Sequence, residues 1–368
     1  MSIPRIYKTI LCAVFCIGLV IPVGFMPVEK GLDFKDFRKN FLFRKDLMKL
    51  NSLMKITIFN ASPVNYVVPG KEGWLFLKPE AVMTTERFHG PECEIDDHRG
   101  MAPLSGAQTE RIRAYLSEAS SLLKSKNIPF YVLITPNKST IYPEYLPDYV
   151  TVVNPSGRRV EQLKRICAEA GGIRVVDIRQ AVLKEKKRRR LYQKADTHWN
   201  YYGAYKGYRE LMMAIRERFP SVRPFELDDF TVKRMAYDEK SANGGDIAKI
   251  ITLFDYYEKT VDVLTPAKPA RRDTVPSDYR VFNPYHNQYM ELRHYRTGLG
   301  GPSLLILHDS FFDYFTYISY NFKETYTLWD YRADEAIINR CKPDIVVIQV
   351  LERFIYLLAE TDRGRAEQ

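Results

Sequence analysis

The stretch LLILHDSFFDYF, residues 304–315, decides the fold of this chain. Its first four residues are all apolar, which is typical of a strand buried on both faces in a parallel sheet. Asp309 and Ser310 follow almost at once, and a helix is predicted over 311–321 directly after them. A strand that passes through a short polar turn into a helix is the repeating unit of an α/β protein.

The alternation of strands and helices extends in both directions from this stretch. Further strands are predicted at 129–135, 172–178, 325–330 and 344–350, and helices at 106–126, 157–170, 201–219 and 333–340. The pattern predicts a three-layer α/β/α domain with a parallel central sheet. We expect this domain to span 61–368 and to contain an irregular insertion at about 220–300, which is rich in Pro, Asn and Tyr.

The composition narrows the class of protein and of partner. With 45% hydrophobic and 13% aromatic residues, the 368-residue chain can bury a sizeable core, which excludes a disordered protein. Lys and Arg number 55 against 45 Asp and Glu, and this net charge of +10 favours an anionic partner. Nucleic acid is not expected, because no known reader motif accompanies the charge. The five cysteines show no zinc-binding spacing, and neither a metal nor a cofactor is expected.

Ser310 is the candidate nucleophile. A serine at this point lies at the carboxyl end of a parallel strand, where the first backbone N–H groups of the following helix have no intrahelical acceptor. These groups, including the N–H of Ser310 itself, are suited to hold an oxyanion.

The stretch KADTHWNYYGAY, residues 194–205, supplies a candidate base and its carboxylate. Asp196 and His198 are two residues apart, so in an extended segment both side chains leave the same face. A direct hydrogen bond between them requires a bend. Together with Ser310 they are the side chains of a Ser-His-Asp triad, in which the histidine activates the serine and the carboxylate orients the imidazole.

Other interpretations of these two stretches stay open at this point. A strand-Asp-Ser-helix junction is also an ordinary helix cap, and a His-Trp pair often serves packing alone. A third interpretation takes Asp196, His198, His308 and Asp309 as ligands of a metal.

The N-terminal segment predicts a membrane anchor. Residues 9–28 carry no charge, and 20 such residues suffice to cross a hydrocarbon core of about 30 Å. We expect residues 1–28 to form an uncleaved signal anchor, with a cleaved signal peptide as the alternative. Residues 29–60 are expected to form an amphipathic juxtamembrane stalk.

The sequence resembles the alginate O-acetyltransferase family, the AlgJ- and AlgX-like proteins with an SGNH-hydrolase-like domain. The resemblance covers roughly residues 35–360, and its DTHW block is the most specific part. The matching stretches follow the family order: VVPGKEGWLFL (67–77), YVLITPNKSTIYPEYLP (131–147), ADTHWNYYGAY (195–205), GGDIAKI (244–250), LLILHDSFF (304–312) and IVVIQVLERF (345–354).

This resemblance implies roles for individual residues. Ser310 would be the nucleophile, His198 the base and Asp196 the orienting carboxylate. Candidate substrate-binding residues are Asp309, Arg353, Gly245 and Asp246. One position departs from the family: His308 stands where glycine is usual, and it could crowd or tune the nucleophile turn.

The resemblance also implies an activity and a setting. The chain would transfer acetyl groups through a serine acyl-enzyme onto hydroxyls of an exported polysaccharide. Its partners would be that polysaccharide and an MBOAT-type protein of the inner membrane that delivers acetyl groups. The catalytic domain would lie in the periplasm, and its extent is closest to AlgJ. An esterase with the same triad and a non-catalytic scaffold that binds polysaccharide or the membrane partner are the alternatives.

Overall fold

The computed structural model describes residues 44–77, 94–236, 245–257 and 260–361. The strands of this part of the chain are β1 (Val67–Pro69), β2 (Leu75–Leu77), β3 (Phe130–Thr135), β4 (Ile173–Asp177), β5 (Phe230–Ala236), β6 (Thr260–Pro266), β7 (Arg272–Val275), β8 (Arg280–Asn283), β9 (Gln288–Glu291), β10 (Arg293–Thr297), β11 (Ser303–Leu307), β12 (Glu324–Leu328) and β13 (Ile345–Leu351).

The helices alternate with the strands of the N-terminal and C-terminal parts of the domain. The α-helices are α1 (Arg44–Ile58), α2 (Glu94–Arg99), α3 (Gly106–Ser125), α4 (Lys138–Ile141), α5 (Arg159–Ala170), α6 (Arg179–Glu185), α7 (Tyr201–Arg216), α8 (Asp246–Ile250) and α9 (Glu335–Cys341). The longer 3-10 helices are Ser310–Tyr314, Thr316–Asn321 and Glu352–Glu360. Helix α3 begins at a capping box in which Ser105 and Gln108 each bond the other's backbone N–H.

A seven-stranded sheet in the order β4-β3-β13-β11-β12-β10-β7 forms the centre of the fold. Its first five strands are parallel, and β10 and β7 extend it in antiparallel pairing. Every residue of β3, β11 and β13 is buried, as is typical of the middle strands of a parallel sheet that is covered on both faces. The predicted α/β fold with a parallel sheet is therefore confirmed, and β11, the strand that leads to Ser310, lies in its middle.

The segment 220–300, for which an irregular insertion is predicted, contains regular structure. Strands β5 and β6 pair as one antiparallel ribbon, and β8 and β9 form another. Strand β10 pairs with β12, and β7 pairs with β10, so this segment also contributes to the central sheet. Short polar strands of this kind carry no continuous apolar run, which is the pattern from which the other strands were predicted.

The predicted N-terminal membrane anchor is corrected by the structure. Within the residues described, no helix is sufficiently long and apolar to cross a bilayer. The single-pass inner-membrane localisation that depended on this anchor is therefore not supported. The segment predicted to form it, residues 9–28, lies outside the described residues.

Of the predicted stalk, 29–60, residues 44–60 lie within the described part of the chain. Arg44–Ile58 form helix α1 there. Leu53 and Ile56 of this helix pack against a small cluster of buried side chains that includes Val67 and Ile247. Lys49 adds an ion pair of 2.7 Å with Asp255. Helix α1 is thus packed on the body of the domain.

Candidate active site

Ser310 lies where the sequence predicts it, three residues after the end of β11 and at the first position of a 3-10 helix. The preceding Asp309 caps this helix by accepting a hydrogen bond from the Phe311 backbone N–H at 2.9 Å. The backbone N–H of Ser310 is the first of the helix, where the ladder provides no acceptor. The turn therefore presents a hydroxyl and a backbone donor side by side.

Asp309 serves this turn and does not face outward. Its carboxylate is 1% exposed and accepts further hydrogen bonds from the Gln349 side chain, the Leu351 backbone N–H and the Tyr331 hydroxyl at 2.8–3.0 Å. Both oxygens are thus used within the protein. Asp309 therefore supports the nucleophile turn, and neither of its carboxylate oxygens is left for the predicted contact with substrate.

His308 occupies the position where the family usually has glycine. It is 4% exposed, its ring packs against Phe312 and Trp329, and its Nδ1 lies 2.9 Å from the Asp309 carbonyl. Burial lowers the pKa of His308 to about 3, so the imidazole stays neutral. The side chain fills the space beneath the turn without entering the group formed by Asp196 and His198.

His198 connects the other two candidate residues. Its Nε2 lies 2.8 Å from the Ser310 Oγ, and its Nδ1 lies 2.8 Å from Asp196 Oδ1. An ionised carboxylate can only accept, so Nδ1 carries the proton and Nε2 is left to accept from the serine hydroxyl. The three side chains form one hydrogen-bonded chain, although 112 positions separate His198 from Ser310.

A closed loop before α7 supplies the bend that Asp196 and His198 need. Tyr192 and Trp199 pair as an isolated bridge, and the Asn200 backbone N–H donates to the Leu191 carbonyl at 2.8 Å. Helix α7 packs tightly against this loop: a Cβ on Gly203 would lie 2.4 Å from the Leu191 carbonyl oxygen. Within the loop the His198 backbone N–H also donates to Asp196 Oδ1 at 2.8 Å.

Asp196 is fully buried and accepts from three N–H groups. Besides the two donors of His198, the Asp246 backbone N–H donates to Oδ2 at 3.0 Å. Burial opposes the charge, but the adjacent His198 and these donors hold the pKa of Asp196 below its usual value. Burial likewise opposes the imidazolium, but Asp196 outweighs it and raises the pKa of His198 above 6.5. The pair is thus arranged to stabilise a proton on His198.

Asp246 places a second carboxylate beside the imidazole. Its Oδ2 lies 3.6 Å from His198 Nδ1 and accepts from the Thr197 hydroxyl at 2.5 Å, while Oδ1 accepts from the Thr197 backbone N–H at 2.7 Å. Burial and the nearby charge of Asp196 raise the pKa of Asp246. Gly245 precedes it with φ of 69°, a conformation that favours glycine at the start of α8. Asp246 therefore fixes Thr197, the residue between Asp196 and His198, in addition to lining the site.

Three of these groups have the composition of a cation site. Asp196, His198 and Asp246 offer ligand atoms within 4.8 Å of one another. Each carboxylate oxygen already accepts at least one hydrogen bond from the protein, and His198 Nδ1 faces Asp196. Within the described residues, His308 and Asp309 are not part of this group, so the four-residue metal interpretation does not match the geometry.

Arg353 adds a positive charge near the base. It is 4% exposed, and its guanidinium lies 4.8 Å from the Phe354 ring and 5.9 Å from the Phe311 ring. Its Nη1 reaches Asn137 Oδ1 at 3.5 Å, whereas its Nε is buried and has no hydrogen-bond partner among the described residues. The charge of Arg353 opposes protonation of His198.

Two aromatic rings pack against the imidazole of His198. The rings of Phe311 and Tyr314 lie 4.8 and 5.5 Å from that of His198, and both residues are buried. The Tyr314 hydroxyl accepts from Gln193 at 3.2 Å, which ties the helix after Ser310 to the loop that carries His198. These rings therefore serve packing of the site.

Lys138 and Thr197 are residues of the site that the sequence analysis missed. Lys138, the first residue of α4, is fully buried, and its Nζ donates to backbone carbonyls of the loop before His198. A lysine after a strand ordinarily indicates a solvated turn, since lysine is rarely buried without a paired charge. The stretch PNKS carries no other signal for this burial.

The sequence matches the model of a known protein family. The model of the SGNH hydrolase-like domain of the acetyltransferase AlgX matches residues 67–277. This range includes Asp196, His198 and Asp246 and ends before Ser310. No curated protein matches the sequence significantly.

Two of the similar solved structures share the fold at low sequence identity, and a third has a TM-score below 0.5. Bacillus cereus PatB1, solved with a sulfonyl adduct, has a TM-score of 0.53 and 15% identity, and the match covers 78% of this chain and 97% of PatB1. A DHHW family protein from Eubacterium siraeum has a TM-score of 0.53 and 15% identity over 70% of this chain and 90% of its own. The O-acetyltransferase domain of Pseudomonas putida AlgJ has a TM-score of 0.48 and 14% identity, with 79% and 92% covered.

Proposed function

Because this chain belongs to the family of the SGNH hydrolase-like domain of the acetyltransferase AlgX, we propose that it is an O-acetyltransferase. The acceptor is proposed to be a hydroxyl of an exported polysaccharide, and the acetyl group passes through an ester on Ser310. One observation carries this proposal: His198 is hydrogen-bonded to Asp196 on one side and to the Ser310 hydroxyl on the other, each at 2.8 Å.

In the first half of the proposed reaction Ser310 is acetylated. Its Oγ attacks the acetyl carbonyl while its proton passes to His198 Nε2, and Asp196 stabilises the resulting imidazolium. The negative charge that develops on the carbonyl oxygen is stabilised by backbone donors that include the Ser310 N–H. The bond to the donor group then breaks, and the leaving group takes the proton from His198.

In the second half the acetyl group moves to the acceptor. A sugar hydroxyl attacks the Ser310 ester while His198 Nε2 takes its proton. The Ser310 Oγ leaves and regains a proton from His198, so the enzyme returns to its starting state and the sugar carries the acetyl group. Two successive half-reactions through a covalent intermediate define a ping-pong mechanism.

The donor and the acceptor are proposed partners. An MBOAT-type membrane protein would deliver the acetyl group, and a polysaccharide would receive it. The net charge of +10 suits an anionic polymer. That the chain is closest in extent to AlgJ stays a prediction.

The acyl-enzyme is tested by the mass of the Ser310 peptide. The purified full chain is incubated briefly with 4-nitrophenyl acetate, and we expect an added acetyl group on Ser310. Ser310→Ala and His198→Ala should abolish it, whereas Ser125→Ala, at an exposed serine on α3, should not. Acetylation of other residues at the same rate as Ser310 would contradict the proposal.

The fate of the acetyl group separates a transferase from an esterase. We expect an acceptor oligosaccharide to remove the acetyl from Ser310 and to become acetylated, with little free acetate. Release of acetate at the same rate with and without acceptor would identify an esterase. A sulfonyl fluoride offers a second probe of Ser310, since the similarly folded PatB1 has been solved with a sulfonyl adduct.

A further inference from the structure

Lys138 is a buried cation whose ligands are main-chain carbonyls of the catalytic loop. It is 0% exposed and is the first residue of α4, directly beyond the carboxyl end of β3. Its Nζ donates to the carbonyls of Asp196 at 2.6 Å, Lys194 at 3.1 Å and Gln193 at 3.4 Å. An ammonium group has three donors, and here all three point into one segment of the chain.

The charge of Lys138 is not balanced in the usual way. Among the described residues its Nζ makes hydrogen bonds to carbonyls and forms no ion pair with a carboxylate, and the Trp74 and Phe76 rings lie 5.9 and 5.2 Å away. Burial lowers the pKa of Lys138 to about 8. Burying a charged group is costly unless it makes hydrogen bonds, and the three carbonyls supply these. The more distant charges of Glu94, Asp246 and Asp196 act to raise the pKa of Lys138 against this burial.

The convergence of these carbonyls on one atom requires the bend in the loop. In an extended chain successive carbonyls point in opposite directions, so those of residues 193, 194 and 196 cannot all meet one atom. They meet Lys138 Nζ because the chain curves around it. The same curvature brings the carboxylate of Asp196 to the imidazole of His198, two residues further on.

We propose that Lys138 is a positioning residue that holds Asp196 against His198 by gathering the loop carbonyls around its ammonium group. The inference rests on the proposed roles of Ser310, His198 and Asp196 in acyl transfer. Lys138 itself touches none of the reacting atoms. It sets the main chain from which the orienting carboxylate extends.

The test compares Lys138→Met with Lys194→Met in the full chain. Lys194 is a matched control, because its Nζ also donates to one main-chain carbonyl, that of Glu72 at 3.0 Å, at an exposed contact. Two quantities are measured: the rate at which phenylmethanesulfonyl fluoride modifies Ser310, and the NMR signal of the His198 Nδ1 proton, which reports the bond to Asp196. Urea unfolding shows that each variant is folded.

We expect Lys138→Met to lower the modification rate at least tenfold and to remove the downfield His198 Nδ1 proton signal, while Lys194→Met leaves both within twofold of the parent. Lys138→Gln, which keeps two donors, should be intermediate. A folded Lys138→Met with an unchanged Nδ1 signal and rate would overturn the inference. So would failure of both Lys138 variants to fold while Lys194→Met folds, since Lys138 would then serve the whole fold.

The two readouts separate this inference from the proposed function. If the parent chain is not modified at Ser310, the proposed function fails, yet the Nδ1 signal still decides whether Lys138 holds Asp196 against His198. If the parent is modified and the variant keeps its Nδ1 signal, only the role of Lys138 is lost.

Discussion

Replacing Asp196 with asparagine is the substitution that tests the candidate site most directly. Asp196 accepts from the backbone N–H and the Nδ1–H of His198 and from the backbone N–H of Asp246. An amide of the same shape has one oxygen and one NH₂ group, so one of these donors must face another donor. When the NH₂ group faces His198, the imidazole can accept from it only by moving its own proton to Nε2, where it can no longer accept from Ser310. When the NH₂ group faces the Asp246 N–H, His198 keeps its hydrogen bond but loses its charged partner.

The size of the effect follows from what is lost. The imidazolium loses its ionised partner at 2.8 Å, and the fraction of His198 in the useful tautomer falls. The same Asp→Asn change in a Ser-His-Asp triad slows the reaction by about 10⁴-fold. At 1.36 kcal/mol per factor of ten this corresponds to about 5.4 kcal/mol of transition-state stabilisation.

The assay is the rate of Ser310 acetylation by 4-nitrophenyl acetate, with Asp246→Asn as the matched variant. Asparagine at 246 keeps an oxygen for the Thr197 N–H, and the Thr197 hydroxyl can reverse its hydrogen bond. Only the more distant charge is lost, so we expect a decrease of about tenfold or less. An Asp246→Asn variant that is slower than Asp196→Asn would refute the assignment of Asp196 as the orienting carboxylate.

Three further predictions concern the base and the nucleophile turn. Since Asp196 raises the pKa of His198 and only the neutral imidazole accepts the Ser310 proton, the acetylation rate should rise with pH through a midpoint above 6.5; a midpoint below 6.5 would contradict the coupling. Asp309→Asn leaves a buried donor unsatisfied and should lower the free energy of unfolding in urea by about 1–3 kcal/mol, and a neutral result would remove the structural role of Asp309. His308→Gly removes a side chain that packs against Phe312 and Trp329, and it should destabilise the fold by about 2–4 kcal/mol. Acetylation of the folded variant should slow less than tenfold. A larger loss of rate would show that His308 tunes the nucleophile.

The middle of the fold and the position of Ser310 are the parts that the sequence predicts best. Strands β3, β11 and β13 are buried along their whole length, so each appears in the sequence as a nearly continuous apolar run. The polar pair Asp309-Ser310 interrupts such a run where a parallel strand must end. A strand that is buried on both faces has a local run of apolar residues, and this run can be recognised without knowledge of the tertiary structure.

The supports of the site could not be predicted, because they depend on long-range contacts. The carbonyls that accept hydrogen bonds from Lys138 lie 55 to 58 positions further along the chain. The Asp246 N–H that donates to the Asp196 carboxylate lies 50 positions beyond Asp196. The residues after Ser310 form two 3-10 helices rather than the predicted single helix, since their aromatic side chains are fixed by packing rather than by helical spacing. Segment 220–300 joins the sheet through short polar strands that no apolar period reveals.

Because His198 and Ser310 are far apart in sequence, the reactivity of Ser310 reports the fraction of correctly folded molecules in a sample. The two atoms that must meet belong to segments 112 residues apart, and the loop that carries His198 is closed only when α7 is in place. A preparation that is nicked, misfolded or partly aggregated can retain helices and strands and still fail to bring the serine to its base. Titration with an acylating reagent would therefore count the correctly assembled molecules, and every rate should be divided by that count rather than by total protein.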